Sequence, residues 1–172
     1  SKPNYLTFPW DSGFSAERME KYYDNINFHD FVNKVSKVKV IKAQHPDYEV
    51  YMQGTHGKRG VSCADCHMPY KSEGSVKFTD HHIQSPLNNM ANACMVCHRQ
   101  SEETLRQDVY ARQQRNQERK YAVEDQLVRA HLEAAQAWKD SATEAEMEPA
   151  LKKIRHAQWR WDWVAAGNSL GF

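Results

Sequence analysis

No stretch of this 172-residue sequence approaches the roughly 18 consecutive apolar residues of a membrane-spanning helix. An excess of charge is missing too. The 23 basic residues face 22 acidic ones, which removes the electrostatic case for nucleic acid or an anionic membrane surface as partner. Aliphatic bulk is thin: hydrophobic residues make up 40% and mean hydropathy is −0.86. A chain of this length can close one domain or two small lobes. The thin aliphatic content beside five Trp and eight Tyr points to a core completed by something else, such as a large planar cofactor. The opening SKPNYLTFPWDSG has neither an initiator Met nor the apolar region of an export signal. The end, AAGNSLGF, lacks a polar tail. Both features lead us to expect a piece of a longer protein. There is no low-complexity tract and no repeat beyond two cysteine motifs.

The chain changes character near residue 100. Residues 1–100 hold every cysteine and all His, Gly and Pro except His131, His156, Gly167, Gly171 and Pro149. Short helices are expected at 16–24, capped by Ser15, at 28–37, and after the His45–Pro46 pair, where proline suits a first helical turn. The rest of this half reads as loops, with no sustained alternation to suggest a sheet. Residues 101–172 read as two long helices. Gly and Pro are absent from 101 to 140, and Val123, Leu127, His131, Ala135 and Trp138 recur at helical spacing. ARQQRNQERK, at 111–120, is polar all round, which is unusual for a packed helix. A second helix is expected from Thr143, whose capping box with Glu146 marks the start; Pro149 should kink its early turns or delay it. Met147, Leu151, Ile154, Trp161 and Val164 form its apolar stripe. The fold class is therefore mainly α, a loop-rich half (1–100) followed by long helices (101–172) suited to a partner interface.

Cys63-Ala-Asp-Cys66-His67 and Cys94-Met-Val-Cys97-His98 both spell C-x-x-C-H. Two thiols three positions apart can add across the vinyl groups of one haem, and the following histidine is placed to ligate the iron. The competing reading is a four-thiolate zinc site made by the two pairs across 27 intervening residues. That reading leaves His67 and His98 as coincidences. A thioredoxin-like redox pair would need a βαβ setting that is missing. Two covalent c-type haems are the expectation, and they take up all four thiols.

Electron-transfer haems often use a second imidazole on the far side of the iron. His29, His45, His56, His81 and His82 are the candidates in the first hundred residues. His56 lies between Gly54 and Gly57, which would let backbone approach a porphyrin. His81 and His82 are adjacent, so their side chains should diverge. His29 is expected on a helix surface, and His131 and His156 in structural roles on the long helices.

Taken together, FPWDSG, MEKYYD, KAQHPDYE, HGKRGVSCADCHMP, FTDHHIQSP, ACMVCH, KYAVEDQLVRAH and IRHAQWRWDW resemble the catalytic subunit of pentahaem, ammonia-forming cytochrome c nitrite reductase. The C-x-x-C-H motifs alone would fit any multihaem cytochrome. KAQHP ahead of HGK, C-x-x-C-H-M-P and TDH is far more specific, and the resemblance runs over essentially the whole chain.

The resemblance implies a six-electron reduction of nitrite to ammonia in the periplasm, five haems c in the complete protein with two on this chain, and calcium. It implies a homodimer through the long helices, fed by a multihaem cytochrome or quinol-oxidising donor. By position, His45 matches the active-site histidine facing substrate. Lys42, through its carbonyl, and Gln44, through its side chain, match calcium ligands. His56 matches the distal ligand of the haem held by Cys94, Cys97 and His98. His81 matches the distal ligand of a haem attached upstream, and His82 has no assigned role. Pro46 should bias His45 away from helical dihedrals.

The family's C-x-x-C-K catalytic haem, its catalytic Arg and Tyr and its other calcium ligands have no counterpart in this sequence and are expected upstream. The distal ligand of the Cys63/Cys66 haem is expected just after Phe172. The rival readings are a non-catalytic multihaem electron-transfer cytochrome and a related enzyme acting on hydroxylamine or sulfur oxyanions.

Overall fold

The computed structural model describes residues 9–167, and the expectation placed after Phe172 lies outside them. Helices dominate. In chain order the elements are α1 (Ala16–Asn25), β1 (Phe31–Val32), β2 (Lys39–Val40), α2 (Asp47–Gln53), α3 (Thr55–Lys58), α4 (Cys63–His67), β3 (Tyr70–Glu73), β4 (Val76–Thr79), α5 (Met90–Ala93), α6 (Glu102–Lys139) and α7 (Glu144–Ala165). Two compact units result: one runs to Val50 and resumes at Arg115, and the other is Tyr51–Gln114. The units divide the chain inside α2 and α6.

Caps explain the helices that form where expected. The Ser15 hydroxyl accepts the Arg18 N–H and starts α1. Thr143 and Glu146 make the capping box of α7. Pro149 does not delay that start. It lies inside α7 on the exposed side, where water can take the carbonyl that its missing N–H leaves unpaired. Before α6, the Ser101 hydroxyl accepts the Thr104 N–H at 3.2 Å, and α6 then runs unbroken through the polar 111–120 segment.

Residues 28–37 are not a helix. Phe31 pairs with Val40 and Val32 with Lys39 in an antiparallel hairpin. The Asn33 side chain accepts the N–H groups of Val35 (2.9 Å) and Ser36 (3.1 Å), and Lys37 takes a φ of 63°. An asparagine that satisfies its own turn outcompetes the helix that Val32, Val35 and Val38 mimic by spacing. His29 consequently sits half-buried in the preceding loop, off any helix. A second hairpin pairs β3 with β4, Tyr70 opposite Thr79 and Glu73 opposite Val76. Its two-residue loop is Gly74-Ser75, with Gly74 at φ +60°. Glycine adopts that conformation without a Cβ clash.

The unit containing α1 and α7 holds two apolar clusters. Met19, Ile41, Ala43, Trp159 and Trp163 form one; Val38, Val40, Ala134, Met147 and Ile154 form the other. The expected α7 stripe holds at Met147 and Ile154, with Leu151 packed against them, and then continues through Trp159 and Trp163 while Val164 is exposed. On α6, Leu127 is buried but Val123 is exposed. His131 accepts or donates at Ser36 Oγ (2.7 Å), and Trp138 Nε1 donates to the Ser36 carbonyl (2.8 Å). His156 Nε2 meets Asp24 at 2.6 Å. Both histidines on the long helices are packing residues. No helix among the described residues is long and apolar enough to cross a membrane.

Candidate haem and substrate-site residues

The Tyr51–Gln114 unit contains all four cysteines and almost no apolar core. Among the described residues its buried apolar side chains are Pro69, Met90, Ala93 and Val109, while Tyr70, Val76, Ile83 and Val96 are exposed. A large apolar cofactor is what such a unit requires to close.

The first C-x-x-C-H is α4 itself. Ser62 and Asp65 form its capping box, with the Asp65 carboxylate accepting the Ser62 N–H at 2.6 Å. Helical spacing sets Cys63, Cys66 and His67 at i, i+3 and i+4, on one face. The second motif follows α5 as a helical turn, with the Cys97 and His98 N–H groups both reaching the Cys94 carbonyl (3.1 and 2.9 Å). All four thiols are free. Burial pushes the Cys66 and Cys94 thiols up, and α4 packs against α5, so the motifs are neighbours. Among the described residues no three His, Cys, Asp or Glu side chains converge as a metal site.

His56, on α3, and His98 are brought together: their ring centroids lie 6.0 Å apart with the planes at 73°. An imidazole nitrogen sits about 2 Å from a transition metal, so two rings opposed across one iron have centroids about 6 Å apart. Gly57 permits a close approach within the chain itself. A Cβ there would collide with the Tyr51 carbonyl and reach within 3.0 Å of Met52 Cα. The glycine lets α3 lie against the end of α2, which places His56. The Tyr51 hydroxyl donates to the Val61 carbonyl, and the Val61 N–H donates to the His56 carbonyl at 3.1 Å. Tyr51, which no motif flagged, thereby ties the His56 turn to the entrance of α4.

His67 donates Nδ1–H to the Gln84 carbonyl at 2.9 Å, and His81 donates Nδ1–H to the Thr79 carbonyl at 2.9 Å. A carbonyl only accepts, so each ring keeps its Nε2 lone pair for a metal. His82 donates its Nδ1–H to Asp80 (2.9 Å).

Lys42, Gln44 and His45 belong to the other unit, on the segment that follows β2. Burial alternates there: Ile41 and Ala43 are buried, Lys42 and Gln44 exposed. Asp30 accepts the Lys42 N–H at 2.7 Å. Burial raises the Asp162 carboxyl above its ordinary range, against the Gln158 amide (3.0 Å), the Lys42 charge and the Ala43 N–H. Asp30 and Asp162 back this segment, and sequence reasoning missed both. His45 is exposed, at φ 51°. Pro46 keeps His45 out of right-handed helical dihedrals, as expected, and its positive φ is the left-handed conformation that histidine visits more than most residues but at a cost. Pro46 is buried and accepts the Val50 N–H at 2.9 Å, opening α2.

The whole chain, residues 1–172, matches the family model described as Cytochrome c552. Curated relatives include the cytochrome c-552 of Bacteroides thetaiotaomicron, 56% identical over 168 residues, covering 98% of this chain and 34% of that protein. The Bacteroides fragilis cytochrome c-552 is 57% identical over 168 residues with the same coverage. That of Desulfotalea psychrophila is 48% identical over 167 residues, covering 97% of this chain and 33% of that protein. Among solved structures, the catalytic subunit of cytochrome c nitrite reductase from Desulfovibrio desulfuricans ATCC 27774, described for its two calcium sites, matches with a TM-score of 0.88. It is 38% identical, and the match covers 96% of this chain and 38% of that one. The chain spans about a third of the length of the curated relatives it matches.

Proposed function

The chain belongs to the cytochrome c552 family, and from that premise we propose that it is the part of an ammonia-forming, pentahaem nitrite reductase that carries two of the five haems. Cys63 and Cys66 attach one, with His67 as its proximal ligand. Cys94 and Cys97 attach the other, with His98 proximal and His56 distal. His81 serves a haem attached to the remainder of the protein. The observation that carries this reading is the His56–His98 pair, 6.0 Å apart within a unit that has four free thiols. The likeness to a nitrite reductase subunit supplies the substrate.

When bound, haem c supplies one-electron transfer; this chain's residues place the imidazoles and handle the substrate. His45 is an exposed imidazole held by a left-handed backbone ahead of a buried proline. It donates a hydrogen bond and then a proton to an oxygen of the anion. Lys42, by its carbonyl, and Gln44, by its side chain, are hard oxygen donors that would hold calcium beside it, where its positive charge would favour an anionic substrate.

The protein acts in the periplasm as a homodimer, fed by a multihaem cytochrome or a quinol-oxidising partner. Tyr121, Val128 and Leu132, 58%, 54% and 59% exposed, share one face of α6 and suit a second copy.

Adding nitrite to the full-length, haem-loaded protein tests the proposal. A nitrite reductase has one iron open to the anion, so its spectrum changes. An electron-transfer cytochrome whose irons are all six-coordinate shows no change.

A further inference from the structure

Asp80 has no part in the assignments above, yet it is the least exposed carboxylate among the described residues, at 2%. It stands at the base of the β3–β4 hairpin, where its own N–H donates to the Pro69 carbonyl at 2.8 Å. Lys71 Nζ, on β3, lies 2.5 Å from Oδ2. Oδ1 accepts both the backbone N–H of His82 (3.1 Å) and its Nδ1–H (2.9 Å). The first of these closes an Asx turn with His81 at its centre.

The neighbouring bonds extend outward from that turn. His81 is held from before by the Thr79 carbonyl, 2.9 Å from Nδ1, and from after by the Ile83 N–H, 3.0 Å from its carbonyl. One residue beyond Ile83, the Gln84 carbonyl takes the Nδ1–H of His67 at 2.9 Å. A buried carboxylate is tolerated when its partners are in place, and removing one partner leaves an uncompensated charge. The conformation of segment 80–84 is therefore coupled to the Asp80–Lys71 pair.

We propose that Asp80 is a positioning residue for two irons at once, fixing His81 through the Asx turn it closes on the His82 N–H and fixing His67 through the Gln84 carbonyl. This rests on the ligand assignments made above. One hairpin base thus sets the proximal imidazole of one haem and the distal imidazole of another. Orientation of a ligating ring by its second hydrogen bond tunes the metal it serves, so the two haems share one structural control.

The test is electron paramagnetic resonance with redox titration of the full-length, haem-loaded protein, comparing D80N, K71M and H81A with the parent. In D80N the signals of the Cys63/Cys66 haem and of the His81 haem both shift, while the His56–His98 haem keeps its own. K71M shifts the same two by less. The proposal is overturned if both variants leave every haem as in the parent, or if all haems shift equally, as a general loss of structure would produce. Should D80N fail to accumulate with haem, K71M decides by the same criterion. H81A separates the two levels. If every electron-transfer iron stays bis-histidine in H81A, the ligand assignment itself fails, whatever D80N does. If H81A loses one such signal while D80N and K71M change nothing, only the role of Asp80 fails.

Discussion

His56 and His98 stand 6.0 Å apart, ring centre to ring centre, with their planes at 73°. They come from different elements, α3 and the turn after α5, so local chain geometry does not impose this separation. The proposed ligation of one iron from both sides would account for it. His56→Ala is expected to remove one bis-histidine low-spin signal from the full-length protein and to move the potential of that haem alone. Spectra that still show every electron-transfer iron as bis-histidine would contradict the pairing.

Gly57 makes a second, independent prediction about the same haem. A Cβ at this position meets the Tyr51 carbonyl, so Gly57→Ala must push α3 away from the end of α2. Overpacking of this kind costs about 1–3 kcal/mol. The variant should broaden or split the His56–His98 haem signal without touching the haem on Cys63 and Cys66. Signals identical to those of the parent would mean that the close approach has no part in placing His56.

Much of this was legible in advance, and the failures have physical causes. α1, α6 and α7 could be read because Ser15, the Gly- and Pro-free run and the Thr143–Glu146 box act locally, within one turn of each helix end. The C-x-x-C-H motifs could be read because their chemistry fixes their spacing. The hairpin at 31–40 was missed because Val32, Val35 and Val38 mimic a helical period while Asn33 satisfies a turn. Gly74-Ser75 between short polar strands was a hairpin signal passed over for lack of alternation. Asp80, Asp30, Asp162 and Tyr51 were invisible for another reason: their importance lies in partners distant in sequence or in burial, which no local pattern records.

His45 carries the substrate-side prediction. Its φ of 51° costs on the order of 1–2 kcal/mol for a residue with a Cβ. Strain of that kind persists where the surrounding structure holds it. His45→Ala in the full-length protein should lower nitrite turnover by about 10²–10⁴-fold, the usual range for losing a positioned proton donor, with haem content unchanged. Turnover equal to the parent would remove the assignment.

The ion network between α1 and α7 predicts an acid limit to stability. Burial raises the Asp24 carboxyl, but hydrogen bonds from His156 (2.6 Å) and Arg155 (3.0 Å) outweigh it and hold the group below its ordinary value. A carboxyl depressed in the folded state contributes stability above its unfolded pKa of about 4 and loses it as pH falls through the folded value. Asp24→Asn should therefore lower the melting temperature at neutral pH and flatten its decline below about pH 4. Arg155 also donates to the carbonyls of Lys39 (2.7 Å) and Phe28 (2.6 Å). Arg155→Ala should cost about 3 kcal/mol in urea denaturation. An unchanged acid limb in Asp24→Asn would show that the network does not set it.

We propose that the full-length protein takes nitrite to ammonium and does not only relay electrons. The most direct measurement is the ammonium formed by the full-length protein from nitrite and a reduced viologen dye, with the dye electrons counted. The account predicts ammonium as the product, with about six electrons consumed for each nitrite, as that reduction at a single site requires. Dye that is oxidised by the haems once and then no further, with nitrite intact, would contradict it.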